Sequence, residues 1–202
     1  AKLLDMNTKK KEGKTASNAA SQLLRPAAGF GMGFGAAPNP MQLLTQAVNL
    51  HQRGDLSGAE HLYKQVLRTR PEEPNALNLL GVIKTQQGHA QEAVDLISRA
   101  VKAQPQFAEA HNNLGLALRK LGQFEQAVQS HERAIEIKPA HAEALNNLAT
   151  ALRETGRLEE ALAACDRALS IKPAFAQALN NRAAVLSHAG RHAEAQVDVE
   201  RA

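Results

Sequence analysis

"AEAHNNLGLALRKLGQFEQAVQSHERAIEIKPAH" (residues 108–141) reads as two helical runs, the first closed by Gly122 and the second by Pro139. Glycine past a helix end supplies a left-handed stop, and proline cannot continue a helix. The same punctuation returns every 34 residues, with glycines at 54, 88, 122, 156 and 190 and prolines at 71, 105, 139 and 173. Alanines keep the interval too, at 59, 93, 127, 161 and 195 and again at 100, 134, 168 and 202. A fixed period between about 20 and 50 residues marks a repeat architecture in which each unit buries its apolar face against its neighbours.

The ladders predict an all-α domain over residues 40–202, built of units 40–73, 74–107, 108–141, 142–175 and a shorter 176–202, behind a flexible basic tail over 1–39. With the recurring proline at position 32 of the unit, helices are expected over positions 2–14 and 17–30, with the glycine at 15 between them. This pattern resembles the tetratricopeptide repeat family over residues 40–202. The resemblance implies a right-handed α-solenoid of about five helix-turn-helix repeats, with the small residue at position 8 (Ala47, Gly81, Gly115, Ala149, Ala183) facing the one at position 20. Two departures alter packing detail: position 4 holds Leu43, Leu77, His111, Leu145 and Leu179 in place of the family's frequent Trp, and the aromatic at position 24 survives only as Tyr63.

Twin asparagines recur inside the first helix of the later units, at Asn112 and Asn113, Asn146 and Asn147, and Asn180 and Asn181. Asn is a mediocre helix former, costing a few tenths of a kcal/mol relative to Ala, so each pair needs an offsetting gain. At about 100° per residue, positions 4, 7, 8 and 11 share one apolar face, while 2, 5, 6, 9, 12 and 13 fall opposite. In the tetratricopeptide family the first helices line the concave inner wall, and the resemblance therefore implies a groove. Its early part would hold Leu44, Val48, Asn75, Asn78, Leu79 and Val82. Its later part would hold Asn112, Asn113, Leu116, Arg119, Lys120, Asn146, Asn147, Thr150, Arg153, Asn180, Asn181 and His188.

An Asn amide can meet the alternating C=O and N–H of an extended main chain without regard to its side chains. The ladder at position 6 resembles that of the tetratricopeptide arm of O-linked N-acetylglucosamine transferases: Asn113, Asn147 and Asn181 match it, Leu79 and Thr45 do not. The competing expectation is that these asparagines bridge neighbouring repeats. A clamp for chaperone C-terminal carboxylates would want Lys and Arg at positions 2, 5 and 6, where this chain has Glu109, Glu143 and the asparagines.

The bulk composition narrows the function further. The formal charge of +4 sits in residues 1–40, where Lys2, Lys9, Lys10, Lys11, Lys14 and Arg25 face Asp5 and Glu12, and residues 41–202 are neutral. With 3% aromatics and no Trp, a stacking surface for nucleic acid is not expected. One cysteine, Cys165, reads as a small buried hydrophobe. His188 and His192 straddle Gly190, which breaks helical metal-ligand spacing, and no metal or cofactor is expected. Gly31, Gly33 and Ala36 formally match a dinucleotide fingerprint, but Pro38 and Pro40 forbid the helix it needs, leaving residues 29–40 as a hinge carrying Phe30 and Phe34. Residues 17–24 are expected to form a short helix capped by Ser17 and held in a groove. Met6 reads as a natural start.

No acid–base pair, nucleophile elbow or phosphate loop appears, and the expectation is a non-enzymatic, cytoplasmic scaffold that takes a protein or peptide ligand in its groove, without nucleic acid or membrane. The last unit breaks off inside its second helix. Two alternatives follow: a substrate-recognition arm of a larger glycosyltransferase, or a self-assembly module, including domain swapping, through the tail and the uncapped C-terminal end.

Overall fold

A computed structural model describes residues 39–202, which form ten helices in chain order: α1 Pro40–Gln52, α2 Leu56–Thr69, α3 Pro74–Gln86, α4 Ala90–Ala103, α5 Ala108–Lys120, α6 Phe124–Ile137, α7 Ala142–Glu154, α8 Leu158–Ile171, α9 Ala176–His188 and α10 His192–Arg201. No strand occurs among the described residues. The second helices of the first four repeats span positions 17–30, as the periodicity predicts. The first helices span 1–13, one residue earlier than predicted, because Pro40 and Pro74 are tolerated as opening residues and the helix ends two residues ahead of the glycine. The tail, its short helix, the hinge at 29–40 up to Pro38 and the start at Met6 lie outside the described residues.

The turn between paired helices is a backbone device. Gly54, Gly88, Gly122, Gly156 and Gly190 all have φ between 73° and 84°, the left-handed region that only glycine enters without strain. The residue after each glycine then donates to a carbonyl five residues back, as in His89 N to Lys84 O (2.9 Å) and Arg157 N to Leu152 O (2.9 Å), satisfying a carbonyl that the helix end would orphan. At the other junction the residue before each proline is extended, with φ near −130° at Arg70, Gln104, Lys138 and Lys172, because the proline ring disfavours helical geometry there.

Packing follows the small residues. A Cβ at Gly81 would lie 2.4 Å from Ile97 Cγ1, and one at Gly115 would lie 2.6 Å from the His131 ring, so position 8 must stay small where a bulky position 24 crosses it. Leu77, Ile83, Leu145 and Leu179 are buried, each contributing about 1.5–3 kcal/mol of transfer free energy. Paired helices pack antiparallel, and each second helix packs on the first helix of the next repeat. Successive first helices also touch (α3 with α5, α5 with α7, α7 with α9), more closely than any two successive second helices do. The stack therefore curves with the first helices on its inner wall.

Candidate functional site

The inner wall is organised by rungs between repeats. Asn113 Nδ2 donates to Asn78 Oδ1 (3.0 Å), Asn147 Nδ2 to Asn112 Oδ1 (3.0 Å) and Asn181 Nδ2 to Asn146 Oδ1 (2.8 Å). Each rung joins position 5 of one repeat to position 6 of the next, 35 residues later. Where the asparagines are missing, the same two positions are apolar: Leu44 is buried in the N-terminal core cluster and Leu79 packs against that cluster. The two positions change chemistry together.

This geometry corrects the expectation that both asparagines face an open groove. Asn78, Asn112 and Asn146 are buried, and their oxygens are taken by the following repeat. Asn180 alone of that set is exposed. Position 6 is half-buried: Asn113, Asn147 and Asn181 spend an N–H on the rung, and no described residue pairs with their Oδ1 atoms. The wall continues through half-buried Leu79, Val82, Leu116 and Thr150 and through exposed Lys120. Arg153 pairs with Glu154 (3.0 Å) and Thr150 accepts from Asn181 Nδ2 (3.1 Å), so neither stands free. Arg119 is half-buried, and its Nε is buried without a partner among the described residues, so it is not a freely exposed groove cation.

The three family models that match the chain are all described as tetratricopeptide repeat and cover residues 50–115, 112–174 and 164–197, most of the sequence between them. The chain belongs to the tetratricopeptide repeat family. Among solved structures, a crystal structure of MamA is similar at 26% identity over 77% of this chain and 91% of that one, with a TM-score of 0.68. MamA residues 41 to the end from Desulfovibrio magneticus RS-1 share the fold at 21% identity, covering 82% and 97% of the two chains, TM-score 0.72. YrrB, described as a TPR protein with an unusual peptide-binding site, shares it at 22% identity over 81% and 84%, TM-score 0.66. No curated protein matches the sequence.

The third tetratricopeptide repeat carries a buried polar group at position 24. His131 is fully buried, and its Nδ1 lies 3.0 Å from Asn112 Oδ1, so the neutral ring donates there and Asn112 collects two donors. Burial first, then the charges of Arg119 and His141, push the His131 pKa down to about 3. Its Nε2 is buried without a partner among the described residues. Cys165 holds the same position one repeat on, and burial pushes its thiol up to about 12. At position 2, Glu109 bonds Lys138 and Glu143 bonds Lys172, and these ammonium partners lower both carboxyl pKa values, Glu143 to about 2. The acidic edge of the groove is thus internally neutralised.

Two buried ion pairs were not visible in the spacing. Lys84 replaces the position-11 leucine of the later tetratricopeptide repeats, is buried, and lies 2.7 Å from Glu60 and 3.7 Å from Glu92. Arg182 replaces a position-7 leucine and grips the buried Asp198 with two bonds (2.7 and 2.5 Å) while bonding Asp166 at 2.6 Å. Their partners lie 24 and 16 residues away, beyond the reach of a single-helix pattern. The outer side also holds two recesses that the sequence reading missed. One of about 440 Å³ between α6 and α8 has Ile135, Leu148 and Leu152 in its lining. Another of about 450 Å³, between α8 and α10, is lined by Arg182 and its acids. Among the described residues no group of three or more His, Cys, Asp or Glu could hold a metal ion, and no helix is long and apolar enough to cross a membrane.

Proposed function

We propose that this tetratricopeptide protein is an interaction scaffold that binds an extended protein segment along its inner wall. The observation that carries the reading is the row of position-6 amides. Asn113, Asn147 and Asn181 are locked in orientation by their rungs and keep an oxygen without a described partner. An oriented acceptor loses little entropy on binding, and a row of them at one-repeat intervals suits successive main-chain N–H donors of an extended segment. Val82 and Leu116 at position 9, with Leu79, offer apolar contact at the early end, and Thr150 takes over at the polar end. The ligand therefore lies with its apolar side chains toward Leu79 and its main chain on Asn147 and Asn181. The peptide-binding site named for YrrB supports the class of ligand, not its position.

Selection of segments from a displayed random-peptide library on the full chain tests this. Segments so obtained should lose about tenfold or more in affinity with Leu116→Glu or Thr150→Glu and keep it with Glu132→Lys in the outer recess. The opposite pattern would move the site to the outer face.

A further inference from the structure

The two outer recesses are the same place in successive repeats. Leu148, Leu152 and Ala164 line the first at positions 7, 11 and 23, and Arg182, Leu186 and Asp198, each 34 residues on, line the second. Their acidic walls correspond too, Glu132 and Glu160 in the first being matched by Asp166 and Glu194 in the second. What differs is the filling. In the second recess Arg182 lies between two carboxylates, bonding Asp198 twice (2.7 and 2.5 Å) and Asp166 at position 25 through Nη1 (2.6 Å). In the first, positions 7 and 23 are Leu148 and Ala164, so the chain supplies no guanidinium there, and the exposed Glu132 at position 25 pairs with none of the described residues.

The other charges around the first recess are mostly committed. Glu160 spends both oxygens on Arg157 (2.7 and 2.6 Å), while Glu136 spends one on Arg133 (2.7 Å) and keeps the other. Glu132 and Glu136 stand four residues apart on α6 and share a face. Arg167 lines the rim, but Arg201 holds the same position one repeat on, and Arg182 is bound there all the same. We propose that the recess between α6 and α8 takes an arginine side chain of a partner protein, its guanidinium on Glu132 and the second oxygen of Glu136. The floor of Ile135, Leu148 and Leu152 receives its methylenes and a bulky apolar neighbour. Arginine suits the place better than lysine, because its planar fork meets two oxygens at once and its weakly hydrated head tolerates an apolar floor. Arg182 shows the same chemistry within the chain, against the corresponding carboxylate. The recess lies on the outer side, so this inference does not depend on the occupant of the inner wall.

A recess one side chain wide binds more weakly than a groove spanning several repeats, so the probe is selected with the inner wall blocked. Displayed peptides with one fixed arginine between random residues, selected on the full chain carrying Thr150→Glu, should yield segments with a large apolar residue near the arginine. Their affinity should fall about tenfold with Glu132→Gln, and about tenfold when the arginine is replaced by citrulline, which keeps the shape and removes the charge. Leu148→Arg with Ala164→Asp copies the filling of the second recess into the first and should abolish binding while thermal unfolding stays cooperative. Glu132 is exposed, so Glu132→Gln reads the site even if that double variant does not fold. No selected segment, segments indifferent to Glu132→Gln or to citrulline, or full binding to a folded double variant would each overturn the proposal.

Discussion

Asn112 shows why a poor helix former recurs in a good helix: its oxygen takes a bond from Asn147 in the next repeat and one from His131 in its own. Two bonds at about 1 kcal/mol each outweigh a propensity cost of a few tenths. The Asn78–Asn113 rung allows a clean test, since Ile97 makes no side-chain bond there. Asn78→Leu and Asn113→Leu should each destabilise the chain by about 1–2 kcal/mol in urea, and the double variant should cost about 1 kcal/mol less than their sum, since it leaves two apolar groups in place of one stranded amide. Additive losses would mean that the rung carries no coupling. His131 makes a second prediction. The unfolded ring takes a proton near 6.5, the folded ring only near 3, so its contribution is intact above pH 6.5 and lost as pH falls toward 3. Between those limits the stability of the unmodified chain relative to His131→Ile should fall by roughly 1.4 kcal/mol per pH unit, read from denaturant midpoints. A flat difference would mean that the ring is already solvated.

At the scale of the helix pair, the stops and the crossings separate by mechanism. A Cβ at Gly122 meets nothing within 4 Å, yet φ is 73°, so Gly122→Ala should cost about 1 kcal/mol from backbone strain alone. Gly115→Ala has relaxed helical backbone and a His131 ring 2.6 Å from the new methyl, and should cost about 1–3 kcal/mol from overpacking. Replacing His131 by Ala in the same chain should recover part of the second loss and none of the first, as thermal unfolding would show. The buried Lys84 gives an asymmetric pair of outcomes. Lys84→Leu removes the ion and restores the apolar residue of later repeats, and should be neutral or stabilising by about 1–2 kcal/mol; Glu60→Leu leaves the buried ammonium only Gln87 at 3.3 Å and Glu92 at 3.7 Å and should cost about 2–3 kcal/mol. Glu60 is held down to about 2 by Lys64 first and Lys84 next, so what the pair contributes is present above pH 4.5 and fades as pH falls toward 2.

For the whole molecule, the fold was legible because its punctuation is local: each glycine and proline acts within its own turn, and the interval of 34 did the rest. The site was legible by half. A helical wheel sees one apolar stripe and assigns everything opposite to solvent, but the first helix of a solenoid is covered by a second neighbour, the next repeat. That contact can be polar, as at Asn78, Asn112 and Asn146, and then the wheel reads a buried face as an open one. The available signal was a correlation at 35 residues rather than a period of 34: Leu44 with Leu79, Asn with Asn thereafter. Lys84 and Arg182 escaped for the same reason, since a charge in a core position makes sense only beside a partner from another helix. These contacts leave one claim on which the proposed function turns, that position 5 serves the stack while position 6 serves the stack and the ligand. Asn112→Ala and Asn147→Ala break the same rung from opposite sides, so titration calorimetry of one library-selected segment against both variants separates the duties. Asn147→Ala should weaken binding about tenfold more than Asn112→Ala, the worth of one hydrogen bond; equal losses, or a larger loss for Asn112→Ala, would contradict the claim.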